Sequence, residues 1–86
     1  MKYRSRTEIV GMILEATNAG ATKTKIMYNA YLSYNQLKEY LSLLIENDLI
    51  EYIGGSKIFR TTEKGFKFLS MYNAIEELLH PTFKNN

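Results

Sequence analysis

Apolar residues recur at helical spacing in the first part of the chain. Ser5 and Glu8 have the spacing of a capping box, in which each side chain bonds the backbone amide of the other residue. This pattern predicts a helix that begins at Arg6 and ends near Asn18. Its apolar face is formed by Ile9, Met12, Ile13 and Ala16.

Two more helices are predicted after the first, with a very short connection between them. Thr22 is a suitable N-cap for a second helix that runs through Asn29. Ser33 and Gln36 have the spacing of a second capping box, which predicts the start of a third helix. Only residues 30–32 separate these two helices, so they must pack at a steep angle, as in a helix-turn-helix. The apolar face of the third helix is formed by Leu37, Tyr40, Leu41 and Leu44.

A β-hairpin and a long helix are predicted in the second half. Residues 49–53 and 57–60 are rich in β-branched and aromatic side chains and flank the turn sequence Gly-Gly-Ser, which is typical of a hairpin. Thr61 or Thr62 is expected to cap a last helix over residues 63–79.

Composition limits the class of protein. A chain of 86 residues can bury one modest core, and 45% hydrophobic and 13% aromatic residues are typical of a folded globule. We expect one domain over residues 1–80, ended by His80-Pro81, and a flexible tail over residues 81–86. No run approaches the roughly 20 apolar residues that span a bilayer, and no signal peptide is recognisable, so a cytoplasmic location is expected.

No group of residues indicates catalysis or metal binding. The chain has no cysteine and one histidine, so a metal site is not expected. Glu76 and Glu77 are adjacent and therefore point to different sides of a helix, which does not suit shared acid and base chemistry. We expect a protein that is not an enzyme and that has no cofactor, no membrane segment and no evident small-molecule ligand.

The predicted order of elements is that of a winged helix-turn-helix, an α+β fold that is mostly α. In this fold the third helix enters the major groove of DNA and the hairpin forms a wing beside it. The chain also resembles the archaeal winged-helix family that includes small chromatin-type DNA-binding proteins. The segments that carry the resemblance are residues 4–6, 24–28, 32–37, 40–41 and 62–65.

The resemblance implies binding to double-stranded DNA and, in many members, a homodimer formed through the last helix. The last helix of this chain is shorter than that of members which dimerise by a long antiparallel coiled coil.

Several outward positions of the third helix have the chemistry to contact DNA. Asn35 and Gln36 carry the donor and acceptor pair that reads adenine, and Lys38 has the length to reach guanine or phosphate. Glu39 and Glu46 lie on the same face and oppose phosphate binding. The predicted DNA contacts of this helix are Ser33, Tyr34, Asn35, Gln36, Lys38 and Ser42.

Positive charge is concentrated in three other places, although the net charge is only +2. The start of the second helix suits a phosphate clamp, since a helix N-terminus adds its dipole, and the Gly-Gly-Ser tip lets backbone approach DNA closely. The alternatives are a solvated lysine pair, an ordinary turn and a frayed terminus. The predicted contacts are Arg4 and Arg6 before the first helix, Lys23, Thr24 and Lys25 in the second, and Lys57 and Arg60 in the hairpin.

Aromatic and apolar side chains outside these clusters are expected to pack within the protein or against a second copy of it. The tyrosines fall mostly at core-facing spacings, so we expect them to pack against the protein and not against bases. The last helix is apolar over more of its surface than one small core covers, which indicates a partner helix unless the first helix covers it all. The tyrosines are Tyr28, Tyr31, Tyr34, Tyr40 and Tyr52, and the predicted dimer contacts are Phe68, Met71, Tyr72, Ile75 and Leu79.

Three functions fit these predictions. The basic clusters favour DNA binding, because a protein-interaction module has no need to gather positive charge on that face, and a transcriptional regulator is the predicted role. A chromatin-type architectural protein would use the same clusters with less choice of sequence. A winged-helix protein-interaction module is the remaining alternative, because a fold does not determine a function.

Overall fold

The computed structural model describes residues 4–79. It confirms the predicted α+β fold, with four helices and a two-stranded antiparallel hairpin in the predicted order. The predicted helix end at His80-Pro81 and the tail at 81–86 lie outside the described residues. The elements are α1 (Arg6–Ala16), α2 (Lys23–Asn29), α3 (Tyr34–Glu46), β1 (Ile50–Ile53), β2 (Ile58–Thr61) and α4 (Glu63–Leu79).

Both predicted capping boxes are present. The Ser5 hydroxyl accepts a hydrogen bond from the backbone N–H of Glu8 at 3.0 Å, and the Glu8 carboxylate accepts one from the backbone N–H of Ser5 at 2.8 Å. Ser33 and Gln36 make the same pair of bonds at 3.2 and 2.9 Å. These local bonds satisfy backbone donors that a helix start leaves free, which is why both helices begin where predicted.

One core joins the apolar faces of the three first helices, the hairpin and α4. The predicted inner face of α3 is confirmed, because its three leucines are buried and Tyr40 packs against them. The buried apolar residues are Ile9, Val10, Ile13, Leu14, Ala21, Ile26, Ala30, Leu32, Leu37, Leu41, Leu44, Ile50, Phe59 and Leu69.

The wing is attached to the helical part by backbone and side-chain hydrogen bonds. Ala21 and Phe59 exchange two backbone hydrogen bonds of 2.9 and 2.8 Å, so β2 runs beside the residue that precedes the N-cap of α2. The buried hydroxyls of Thr17 and Thr61 lie 2.8 Å apart, and Thr61 also bonds the carbonyl of Leu14 at 3.0 Å. These contacts hold the hairpin at the start of α2.

The start of α4 explains the sequence Thr-Glu-Lys-Gly at residues 62–65. The Thr62 hydroxyl accepts from the backbone N–H of Gly65 at 3.0 Å and donates to the carbonyl of Asp48 at 2.6 Å, so Thr62 and not Thr61 is the cap. A Cβ atom on Gly65 would collide with the carbonyl oxygen of Leu49. The first turn of α4 therefore packs directly on the backbone that leads into the wing.

The expectation that the tyrosines pack against the protein is wrong for Tyr28 and Tyr31. Tyr40 is partly buried against the core, but Tyr28 and Tyr31 are 81% and 75% exposed. Tyr34 and Tyr52 are about half exposed. The cause is the short α2 and its tight turn, which place Tyr28 and Tyr31 on the side that faces away from buried Ile26 and Ala30.

None of the helices described between residues 4 and 79 is long and apolar enough to cross a lipid bilayer. In the same part of the chain, no three His, Asp or Glu side chains gather in a way that could hold a metal ion.

Candidate nucleic-acid interface

Two open grooves collect many of the polar side chains that the sequence singles out. One groove, here called the wing groove, lies between the start of α2 and the hairpin. The other, here called the α3 groove, lies between the outer face of α3 and the first turn of α1. The wing groove is lined by Thr22, Lys23, Thr24, Tyr52, Lys57 and Phe59, and the α3 groove by Arg6, Lys38, Glu39, Ser42, Leu43 and Glu46.

The wing groove is positively charged. Lys23 from α2 and Lys57 from the hairpin line it together, and none of its lining residues is acidic. The hydrogen bonds between Ala21 and Phe59 bring these two lysines into one groove, although they are far apart in sequence. Two lysines without a carboxylate partner form a surface that attracts anions.

Tyr52 is a feature of the wing groove that sequence reasoning missed. Its ring is half exposed and packs on the buried ring of Phe59, with centroids 4.8 Å apart. The pairing of Tyr52 with Phe59 in the hairpin places both rings on the face toward α2. The sequence does not show which face of the hairpin packs toward the helices. The pairing of Tyr52 with Phe59 shows that the two rings share one face.

Arg60 does not join the wing groove. It pairs with Glu51 across the hairpin, and the two side chains form an ion pair of 3.2 Å with about half of each exposed. Since successive side chains of a strand point to opposite faces, Arg60 lies on the other face from Phe59. Its contact with DNA stays a prediction. Such a contact would have to involve the face of the wing opposite to the wing groove.

The α3 groove combines opposite charges. Arg6 of α1 lies in it together with Lys38 and Ser42, which are three of the predicted DNA contacts. Glu39 and Glu46 line the same groove. Two cations and two carboxylates balance, so this groove attracts anions less strongly than the wing groove does.

The first two turns of α3 contain the candidates for contact with bases. Asn35 is exposed, and the Lys38 ammonium lies 5.6 Å from the centroid of the exposed Tyr34 ring. Gln36 is exposed as well, but its amide oxygen already accepts the backbone N–H of Ser33 at 2.9 Å. A contact with adenine that needs both the oxygen and the nitrogen of an amide is therefore open to Asn35 and not to Gln36 in this arrangement.

Lys25 of α2 and Arg4, which precedes α1, lie in different surroundings. Lys25 is exposed and lines neither groove. Arg4 was predicted to lie in an arm that contacts phosphates or frays, but its guanidinium donates hydrogen bonds to the carbonyls of Ala30 and Tyr31 in the helix-turn-helix. Its side chain is thus held by the protein itself.

The predicted dimer residues of α4 also separate into two sets. Phe68 and Tyr72 are partly buried against the core of their own chain, and the Tyr72 ring comes within 2.9 Å of the position that a Cβ on Gly11 of α1 would take. The other three remain exposed, with Leu78 beside them. We call the exposed residues Met71, Ile75, Leu78 and Leu79 the α4 stripe.

Tyr72 is also an ionisable group in an altered environment. Burial against α1 raises the pKa of its phenol above the ordinary value of 10.0, and the negative charges of Glu76 and Glu8 raise this pKa further. A hydrogen bond with the Glu76 side chain acts in the same direction. The neutral phenol is therefore favoured at the contact between α1 and α4.

Comparisons with known proteins identify the family. The model of the family described as winged helix-turn-helix matches residues 3–80. An uncharacterized protein of Methanocaldococcus jannaschii is 32% identical over 79 residues, which are 91% of this chain and 36% of the relative, so the chain spans about a third of its length. Among solved structures, Sso10a-2, a DNA-binding protein from Sulfolobus solfataricus, has the same fold, with a TM-score of 0.69 and 23% identity over 95% of this chain and 100% of that chain. The chain belongs to the winged helix-turn-helix family.

Proposed function

We propose that this protein binds double-stranded DNA and acts as an archaeal transcriptional regulator. The observation that carries the proposal is the wing groove, where Lys23 and Lys57 lie together without an acidic neighbour among the lining residues. The proposal is supported by Sso10a-2, which is a DNA-binding protein with the same fold.

The arrangement suits binding in which phosphates position the protein and α3 reads bases. Phosphate groups would lie in the wing groove, where two ammonium groups replace condensed counterions and make affinity depend on salt. The hydroxyls of Thr22 and Thr24 line the same groove and can donate to phosphate oxygens. Asn35 and Lys38 on the outer face of α3 would then meet base edges in the major groove.

A chromatin-type architectural role is the second candidate. It is favoured by the few side chains that are free to read bases, because the Gln36 oxygen is bonded to Ser33 and Lys38 shares its groove with Glu39. A protein held mainly through phosphates discriminates little between sequences. A protein-interaction module remains the third possibility, favoured by the carboxylates on α3 and by the exposed tyrosines of α2.

A homodimer formed through the α4 stripe is part of the proposal. Met71, Ile75 and Leu78 recur at spacings of four and three residues, so they form one continuous apolar strip along the helix. A second copy of the same helix has the complementary apolar surface. Such a dimer would carry two copies of α3, as a two-fold symmetric DNA site requires.

Binding to DNA is tested by fluorescence anisotropy of labelled duplexes of about 30 base pairs, roughly three helical turns, at several salt concentrations. A random duplex is compared with fragments from upstream of the protein's own gene. We expect affinity that falls steeply with salt, and a preference for the upstream fragments if the protein is a regulator. Equal affinity for all duplexes would indicate the chromatin-type role, and no binding at low salt would contradict the proposal.

The wing groove is tested by the double substitution Lys23→Ala and Lys57→Ala. We expect weaker binding to every duplex and a slope of log affinity against log salt that is smaller by about two units, about one for each lost phosphate contact. Lys67→Ala is the control for loss of one positive charge, because Lys67 is an exposed lysine of α4 that lines neither groove. A loss of about one unit of slope in this control, half of the loss expected for the double variant, would show that total charge matters and the groove does not.

A further inference from the structure

The guanidinium of Arg4 joins the start of α1 to the turn between α2 and α3. One of its terminal nitrogens donates to the Ala30 carbonyl, and the other donates to the Tyr31 carbonyl at 2.8 Å. The first nitrogen also lies 3.2 Å from the sulfur of Met12. These partners come from two separate parts of the chain, so one side chain connects α1 to the segment where α2 ends and the turn begins.

We propose that Arg4 is a positioning residue that fixes the turn of the helix-turn-helix and thereby the orientation of α3 toward DNA. The inference rests on the proposed DNA binding and replaces the predicted role of Arg4 as a phosphate contact. Its basis is the pair of carbonyls that Arg4 bonds and the unusual backbone conformation at one of them.

The turn is a place where the backbone needs support. Ala30 is the C-cap of α2, and the last carbonyls of a helix have no partner within that helix. Tyr31 has a φ of 54°, a left-handed conformation that residues other than glycine adopt rarely. Arginine near a helix C-terminus can bond these carbonyls, and its two parallel donors fit two neighbouring oxygens. Backbone N–H groups of the turn bond the carbonyls of Met27 and Tyr28, and Arg4 bonds the next two carbonyls that face it, those of Ala30 and Tyr31.

The same turn determines where α3 begins. Leu32 follows Tyr31 directly, is buried in the core and donates its backbone N–H to the Met27 carbonyl at 3.0 Å. Ser33, the next residue, is the N-cap of α3. A change in the backbone at Tyr31 would therefore rotate the first turn of α3, which holds Asn35, the residue best suited to read a base.

The test measures duplex affinity and its salt dependence for Arg4→Ala and Arg4→Lys, each in the natural sequence and combined with Tyr31→Gly. We expect Arg4→Ala to weaken binding about threefold to tenfold with an unchanged salt slope, since no phosphate contact is lost. Arg4→Lys should not restore affinity, because an ammonium cannot reproduce the two parallel bonds. With Tyr31→Gly present, the loss from Arg4→Ala should shrink, because glycine adopts the left-handed conformation freely.

Arg6→Ala is the matched control, since Arg6 is an exposed arginine two residues away whose side chain lines the α3 groove. If Arg6 contacts phosphate, this control lowers the salt slope by about one unit. The inference would be overturned if Arg4→Ala lowers the slope by a similar amount and Arg4→Lys restores binding, which is the behaviour of a phosphate contact. Unchanged affinity in Arg4→Ala would overturn it as well.

Backbone amide NMR spectra separate this inference from the proposed function. Arg4→Ala and Arg4→Lys should both shift the amide signals of residues 31–36, and unshifted signals would overturn the role in the turn whether or not the protein binds DNA. If the natural protein binds no duplex, the proposed function fails and these shifts alone decide whether Arg4 fixes the turn. A folded control spectrum for each variant excludes general loss of structure.

Discussion

At the tip of the wing, the residue with the demanding backbone is Lys57 and not either glycine. Lys57 has a φ of 57°, whereas Gly54 and Gly55 do not adopt a left-handed conformation. A Cβ atom on either glycine would meet no atom within 4 Å. Turn geometry and packing therefore do not require glycine at these positions, and the remaining physical use is a surface without side chains that a partner can approach closely.

This leads to a prediction for the double substitution Gly54→Ala and Gly55→Ala. The free energy of unfolding should rise by about 0.4 to 1 kcal/mol for each position, because alanine reduces the freedom of the unfolded chain. Affinity for duplex DNA should fall about fivefold, which corresponds to about 1 kcal/mol, if the tip lies against DNA. Chemical denaturation and anisotropy measure the two effects.

Ser56→Ala in the same tip is the control, since it removes a small polar side chain without adding a Cβ. Unchanged affinity of the glycine double variant would place the wing tip away from DNA and leave the glycines without a role in binding.

Residue type alone does not show which polar side chains form hydrogen bonds within the protein and which are free to contact a partner. Asn35, Lys23 and Lys57 are exposed, as their types and helix or turn positions indicated. Arg4 bonds carbonyls 26 and 27 residues further along, and such a contact leaves no local pattern. The Gln36 oxygen is different, because its bond to Ser33 belongs to the capping box that the sequence predicted.

At the scale of elements, the predictions depended on short-range chemistry and were mostly correct. Capping boxes and N-caps act within three residues, so the starts of α1, α2 and α3 followed from the sequence. The end of α1 lies at Ala16, two residues before the expected Asn18, and Thr17 is its C-cap with a backbone that leaves the helical conformation (φ −101°, ψ 6°). Local signals do not show which faces of α2 and α4 remain exposed, because their burial depends on packing between segments that are distant in the sequence.

The contact between α1 and α4 gives a prediction about pH. The raised pKa of Tyr72 means that the folded state favours the neutral phenol more than the unfolded state does. The resulting stability is fully present below pH about 10 and is lost as pH rises through the higher pKa of the folded protein. We expect the natural protein to lose stability above pH about 10 more steeply than Tyr72→Phe, which lacks the phenol.

Urea denaturation of both proteins between pH about 8 and about 12 measures this difference. Below pH about 10 the stabilities of the two proteins should differ by a constant amount, because the phenol is neutral in both the folded and the unfolded state. Tyr28→Phe is the control, since the Tyr28 ring is 81% exposed. Stability curves of the natural protein and Tyr72→Phe that remain parallel across this range would contradict the assignment.

At the scale of the whole molecule, two surfaces of different chemistry lie on different elements. The wing groove and the first turn of α3 carry cations and polar side chains, and the α4 stripe carries methionine, isoleucine and leucine. A net charge of only +2 is compatible with DNA binding because the charge is distributed unevenly. The order of elements in the sequence predicted the fold, but the wing groove depends on the bridge between Ala21 and Phe59, which joins residues that no local pattern connects.

The final prediction concerns assembly through the α4 stripe. Ile75→Glu and Leu78→Glu each place a carboxylate on the proposed interface, where burial without a partner is costly. We expect the natural protein to sediment as a dimer and each variant as a monomer of about 10.0 kDa. Both residues are more than half exposed within their own chain, so the substitutions should leave the fold of the monomer intact.

Asn73→Glu is the matched control, because Asn73 is an exposed residue of α4 about 200° around the helix from Met71 and should not affect the dimer. Affinity for a duplex with two half-sites should fall in the two monomeric variants, since a single α3 would then hold each protein, while the salt slope per bound chain should stay the same because the wing groove is untouched. A natural protein that is monomeric at every concentration would contradict the dimer but not the binding of DNA by one chain. The α4 stripe and the wing groove can therefore be judged separately, because one determines how many chains bind and the other how each chain holds phosphate.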